Sequence, residues 1–242
     1  MGNQPGSLEK EAHALLAQDK ICEAYVLFRK AGDLYREKGD HKQAALCLAS
    51  AASCWALKSG EMAFDNSSKA YEEAAREAVM AGDWEYASLM YRQAAINYER
   101  DLEFSGFSEC FFLSRECLRK SLARSFIDPK KSKRPLLWLF LLFSSWIWGH
   151  GERPGRGFLS ALSLIFISAL LYSRGELSRG DVIFKPGFLQ SLYFSFVTFT
   201  TVGYGDITPV GLNQFFAVTE AFLGVFLMSI FIVALSRKYL RT

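Results

Sequence analysis

The stretch Thr198–Val210 reads TFTTVGYGDITPV and lies between two apolar segments, SLYFSFV (Ser191–Val197) and the long run Leu212–Leu235. Glycine inside a helix costs roughly 1 kcal/mol relative to alanine, so Gly203 and Gly205 mark a break between helices. Non-helical backbone at membrane depth must be buried in protein or line water, because hydrocarbon cannot satisfy its N–H and C=O groups. Both glycines can take positive φ without a Cβ clash. A backbone alternating between left- and right-handed regions turns successive carbonyls toward one axis. Carbonyls so arranged can replace the water around a dehydrated cation.

The neighbouring sequence frames this break. Phe158–Tyr172, FLSALSLIFISALLY, is apolar and uncharged, and predicts an outer spanning helix over about 157–173. Ser173–Pro186 carries Gly175, Gly180 and Asp181, and reads as a polar external loop. Pro186 and Gly187 suit a helix start. The expected pore helix, about 187–200, is too short to cross a bilayer and can enter it only partway. An inner helix follows over about 211–236, with Arg237, Lys238 and Arg241 as cytoplasmic anchors.

In that context Thr200-Thr201-Val202-Gly203-Tyr204-Gly205-Asp206 resembles the selectivity filter of potassium channels, whose TVGYG loop is the standard example of a carbonyl-lined filter. The resemblance covers Phe158–Leu240, the pore domain of a two-transmembrane-helix potassium channel. It implies K+ coordination, here as permeant ion, by the carbonyls of Thr201, Val202, Gly203 and Tyr204 and the Thr201 hydroxyl, with filter 201–205 including Gly205. It places Asp206 at the outer mouth, and Tyr193, Phe194, Phe196 and Tyr204 as braces behind the filter. It also implies a homotetramer, since one chain supplies one of the four strands a closed ring needs. Some family members pair a pore-helix glutamate with the aspartate after the filter; Val197 stands at that position.

Three features of the inner helix carry expectations. Glu220 is an intramembrane carboxylate, a functional hypothesis by default; it either hydrogen-bonds near the filter base, faces the cavity, or serves a structural pairing. Gly224 stands where related channels have a gating hinge, with close helix packing as the other reading. Met228, Ile232 and Leu235 are the expected inner gate.

The first half is of another kind. Residues 8–127 form an Ala-, Leu-, Glu-, Arg- and Lys-rich segment without an internal proline. Alanines seven residues apart recur as Ala24/Ala31, Ala44/Ala51, Ala63/Ala70 and Ala87/Ala94, each pair on one helical face. Glu37–Trp55 parallels Met80–Tyr98 at an offset of 43, with Gly39-Asp40 and Gly82-Asp83 at matching turns. Glycine can end one helix and aspartate cap the next. A helix–turn–helix repeat of this length predicts an α-solenoid. It resembles tetratricopeptide-like repeats, most of all those of soluble NSF-attachment proteins, although the Trp-x-x-Leu-Gly opening and closing proline of the consensus are absent. The resemblance implies a docking surface for a protein or small-ligand partner; a structural cap is the alternative.

Between the halves, residues 128–156 combine two basic flanks with a short apolar run. DPKKSKR (Asp128–Arg134) and HGERPGRG (His150–Gly157) enclose LLWLFLLFSSWIWG, Leu136–Gly149. Positive residues on both flanks place both on the cytoplasmic side. The run is then an interfacial helix, with a genuine extra span as the rival. His150 reads as a pH sensor or an ordinary loop histidine.

The totals agree. The chain has 242 residues, a net charge of +3, too small to suggest nucleic-acid binding, and 21 phenylalanines. The five cysteines all fall in the first half without a CxxC pair, reading as reduced, mostly buried thiols. MGNQPGSLEKEA lacks the pattern of a signal peptide. No Walker loop, metal-ligand spacing or nucleophile–base signature points to an enzyme or an organic cofactor, and His13 and His41 read as isolated surface or turn residues.

The expected protein is all-α: a multi-pass cell-membrane potassium channel subunit with both termini cytoplasmic, a cytosolic solenoid and a two-span pore in contact with membrane lipid. The alternatives are a non-selective cation channel and a membrane-tethered adaptor with a non-conducting pore.

Overall fold

The computed structural model describes residues 4–57, 63–127 and 134–240. Lys130, Lys131, Lys133 and Arg241 of the expected basic clusters lie outside them, as does the side chain of Lys238. The fold is all-α with one small sheet, and the chain divides into two compact units, residues 1–143 and 144–242.

The first unit contains α1 (Pro5–Ala17), α2 (Ile21–Glu37), α3 (His41–Leu57), α4 (Ala63–Met80), α5 (Trp84–Arg100) and α6 (Phe104–Ser125). Each packs on the next in a solenoid-like row. The alanines at seven-residue spacing explain the close approach. All eight are buried, none more than 3% exposed. Larger neighbours such as Phe28, Leu48, Tyr91 and Tyr98 fill the space between helices.

The turns follow one hydrogen-bond scheme. Gly39 has φ +75° and Gly82 φ +72°. Asp40 N–H donates to Tyr35 O, five residues back, and Asp83 N–H to Ala78 O, each at 2.9 Å. The aspartates then cap the next helix, Asp40 accepting from Gln43 N and Asp83 from Tyr86 N, each at 3.1 Å. Two further turns repeat the scheme without glycine. Asp19 has φ +61° and Leu102 φ +60°, and Lys20 N–H reaches Leu15 O while Glu103 N–H reaches Tyr98 O. Glu103 is the cap here, accepting from Ser105 and Gly106, and these bonds hold its carboxyl below the ordinary range. Sequence reading passed over both turns because neither residue at positive φ is glycine.

Charged side chains join α2 to α4. Arg29 meets Glu73 at 2.9 Å and Arg36 meets Glu77 at 2.6 Å. His41, read as an isolated turn residue, places Nδ1 2.7 Å from the same Glu77. His13 packs edge-on against Phe28 at 4.9 Å. Cys47, Cys54, Cys110 and Cys117 are buried and Cys22 is exposed.

Helix α7 (Pro135–Trp148) contains the division between the units. At 1.5 Å per residue its 14 residues span about 21 Å, short of a hydrocarbon core of about 30 Å. A 3₁₀ turn, Gly149–Gly151, follows. In the second unit α8 (Pro154–Tyr172) and α10 (Leu212–Leu240) enclose α9 (Phe188–Phe199). Residues 154–172 and 212–237 are long and apolar enough to cross a membrane. The expected external loop holds an antiparallel hairpin, β1 (Leu177–Arg179) and β2 (Val182–Phe184), and β3 (Thr208–Pro209) pairs with β1. Gly180 at φ +60° opens its two-residue turn, Gly180-Asp181, as a type II′ turn requires. Three-residue strands are too short to show a period in sequence.

Two outcomes test this unit. Asp83→Ala should lower stability by about 1 kcal/mol through loss of the cap, read as a lower melting temperature and faster hydrogen exchange at Tyr86. Burial pushes Cys47 and Cys110 up to about 12 and Cys117 to about 11. Their thiolates, the reactive form, are therefore scarce at pH 8. Maleimide should label native protein at Cys22 and reach the other four, Cys54 included, only on denaturation, as peptide mass mapping would show.

Candidate functional site: a glycine-rich segment between α9 and α10

Helix α9 ends where its amide donors run out of regular partners. Thr200 N–H bonds to Phe196 O and Thr200 Oγ1 to the same carbonyl at 2.7 Å. Val197 O then accepts from Val202 N at 3.1 Å and Gly203 N at 3.4 Å, so the chain leaves the helix under a shared carbonyl. The side chain at 197 is valine and offers Asp206 no carboxylate partner.

Beyond it the backbone alternates. Thr201 has φ +57°, Gly203 +54° and Gly205 +75°, while Val202 and Tyr204 are not at positive φ. Sequence reading assigned left-handed backbone to the two glycines and missed Thr201. A β-branched residue there is a true outlier, costing about 1–2 kcal/mol. Such strain concentrates at functional sites. Thr201–Asp206 are all exposed on the single chain, and a Cβ on Gly203 or Gly205 would meet nothing within 4 Å. The glycines there answer to φ alone.

The braces divide into two sets. Phe194 is buried, 4.8 Å edge-on from Tyr172, in a cluster with Leu177, Ile207 and Ala217. Tyr193 Oη donates to Asp206 at 3.0 Å, so that aspartate is held by a phenol. Tyr204 is 70% exposed and Phe196 42%, and neither packs behind the segment within one chain.

The inner-helix residues are placed as follows. Glu220 is 2% exposed, so it does not face a cavity, and it is enclosed by hydroxyls from α8 and α9. Gly224 lies within an unbroken α10, and a Cβ on it would sit 2.5 Å from Phe199 O and 3.2 Å from the Phe199 ring. At this glycine the structure displays close helix packing. Met228, Ile232 and Leu235 are exposed along one side of α10.

Ahead of α8, His150 is buried with Nδ1 2.9 Å from Ser144 Oγ. Arg156 donates to Ser145 O at 2.9 Å and Ser160 to Ile147 O at 3.0 Å. Trp148 meets Phe226 edge-on at 6.3 Å. These contacts fasten the last turn of α7 to α8 and α10; sequence showed only an apolar run and a linker. Among the described residues no cluster of His, Cys, Asp and Glu could hold a metal ion.

Gly224→Ala separates packing from hinge. Helix propensity alone favours alanine by about 1 kcal/mol, whereas forcing a methyl into a packed contact costs about 1–3 kcal/mol. With a backbone oxygen at 2.5 Å the packing cost should win. The variant should melt at lower temperature in detergent; a hinge glycine would melt higher and lose only opening.

No solved structure matches the chain. It is 45% identical over 43 residues to Protein LctB of Geobacillus stearothermophilus and 40% identical over 43 residues to Protein LctB of Bacillus caldotenax. Each match covers 18% of this chain and 32% of the relative, so the chain spans about a third of the length of the curated relatives it matches. A family described as "Ion channel" matches residues 156–241, which carry α8, the hairpin, α9, the glycine-rich segment and α10.

Proposed function

We propose that this chain is a subunit of a potassium-selective channel, conducting K+ passively through a fourfold homotetrameric pore in the cell membrane. The observation that carries this reading is the alternation of left-handed backbone at Thr201, Gly203 and Gly205 in an exposed segment between α9 and α10. Successive carbonyls on such a backbone can face one axis. Thr201, Val202, Gly203 and Tyr204 are the assigned K+ ligands, with the Thr201 hydroxyl as the innermost and Gly205 completing the filter. Asp206 stands at the outer mouth, where negative charge concentrates cations.

Symmetry follows from chemistry. Four exposed strands around one axis line a path where cations and water, in place of lipid, partner their carbonyls. At about 18 Å, the 12 residues of α9 reach only partway through a bilayer of about 30 Å. The C-terminal end of its dipole favours a cation at that depth. Both termini are assigned to the cytoplasm from the basic residues at the inner ends of α8 and α10.

In this reading residues 8–127 are the tetratricopeptide-like regulatory part, residues 128–156 a basic linker with an interfacial helix, and residues 157–240 the pore domain. A partner or ligand on the solenoid would bias α10 through α7, and Met228, Ile232 and Leu235 would form the gate.

Proteoliposomes of the full chain test it. Wild type should pass K+ well ahead of Na+ in bi-ionic reversal potentials. Gly203→Ala or Gly205→Ala should abolish this preference, because alanine at these φ values costs about 1–2 kcal/mol and re-aims a carbonyl. Equal K+ and Na+ permeability in wild type would favour a non-selective pore, and no flux at all a tethered adaptor.

A further inference from the structure

Glu220 is a buried carboxylate in residues 144–242 that conduction itself does not use. Its two carboxylate oxygens are taken by different helices. Tyr172 Oη, at the end of α8, donates to one at 2.6 Å. Ser195 Oγ, on α9, donates to the other. The hydroxyl of Ser168 on α8 also bonds to it. Tyr172 and Ser195 are fully buried, and among the described residues no cation pairs with Glu220. A carboxylate this deep is costly unless hydrogen-bonded, so three buried hydroxyls converging on one are a built arrangement rather than leftover polarity.

Its position in the helix register gives it a role. Glu220 and Gly224 are four residues apart and share a face of α10. They meet Ser195 and Phe199, four apart on α9: Ser195 bonds to Glu220, and the Phe199 carbonyl reaches the site of Gly224. The two helices therefore touch in two successive rungs, one hydrogen-bonded and one steric. The glycine-rich segment begins two residues after Phe199. Its first amide, Thr201 N–H, donates to Thr198 O, and the next two to Val197 O, both acceptors lying between the rungs in sequence. Ser195 also approaches Ile165 O at 2.9 Å, bringing α8 to the same point.

We propose that Glu220 is a positioning residue: with Gly224 it sets the height of α9 on α10, and through it the spacing of the carbonyls at Thr201–Tyr204. This rests on the reading of that segment as a potassium filter. Geometry, not charge, is the requirement. Glutamine at 220 keeps an acceptor for Ser195 and a polar group for Tyr172, whereas leucine keeps neither, leaving the Tyr172 hydroxyl without its acceptor and Ser195 with Ile165 O alone.

The test compares full-length wild type, Glu220→Gln, Glu220→Leu, Ser195→Ala and Tyr172→Phe in liposomes, each first checked for assembly by size-exclusion chromatography. Glu220→Leu and Ser195→Ala should assemble and lower the K+/Na+ permeability ratio by about tenfold or more, since functional groups tolerate only about 0.5 Å of misplacement. Glu220→Gln should stay within about threefold of wild type, because it retains the geometry. Should Glu220→Leu fail to assemble, Tyr172→Phe, which removes one bond to the carboxylate and should lower the ratio in the same direction, carries the comparison beside Ser195→Ala, which also removes the contact with Ile165 O. A merely structural carboxylate would lower melting temperature and leave the ratio unchanged in every assembled variant, and that result overturns the proposal. Wild type without K+ preference would overturn the filter reading instead.

Discussion

A peptide chain that leaves helical structure at membrane depth must find partners for its amides and carbonyls, and hydrocarbon offers none. The second unit is organised around this constraint. Val197 O takes two amides at once, Thr200 turns its hydroxyl back onto Phe196 O, and Tyr193 holds the aspartate at the far end. What is left is a short run of exposed backbone with alternating handedness. The flanking helices hold its two ends, through the rungs on α10 at one side and the strand β3 paired to β1 at the other.

Much of this was legible because it rests on local rules. Helix lengths follow from apolar runs, and the left-handed glycines follow from having no Cβ. The alanine spacing announced a close-packed helical row, and every one of those alanines is buried. The solenoid turns at Gly39 and Gly82 were readable for the same reason.

The unread features depend on residues far apart in sequence or on backbone forced by its surroundings. Glu220 is satisfied by residues 25 and 48 positions away, a relation no local pattern carries. Its environment decides between alternatives that sequence left open: it is hydrogen-bonded in protein and turned away from any cavity. Gly224 is similar, since the Phe199 carbonyl that needs its missing Cβ comes from another helix. Leu102 and Thr201 sit at positive φ although their residue types do not favour it. There the ends of well-packed helices, or the exit from α9, override intrinsic preference.

The turn at Gly149–Gly151 has a mechanical meaning. Three successive residues, at φ +57°, +58° and +91°, bar the continuous right-handed path that would fuse α7 and α8 into one rod. The two helices are instead joined across a left-handed turn by side chains, among them His150 to Ser144, Arg156 to Ser145 O and Ser160 to Ile147 O. The first long apolar helix thus sets its direction independently of the helix before it.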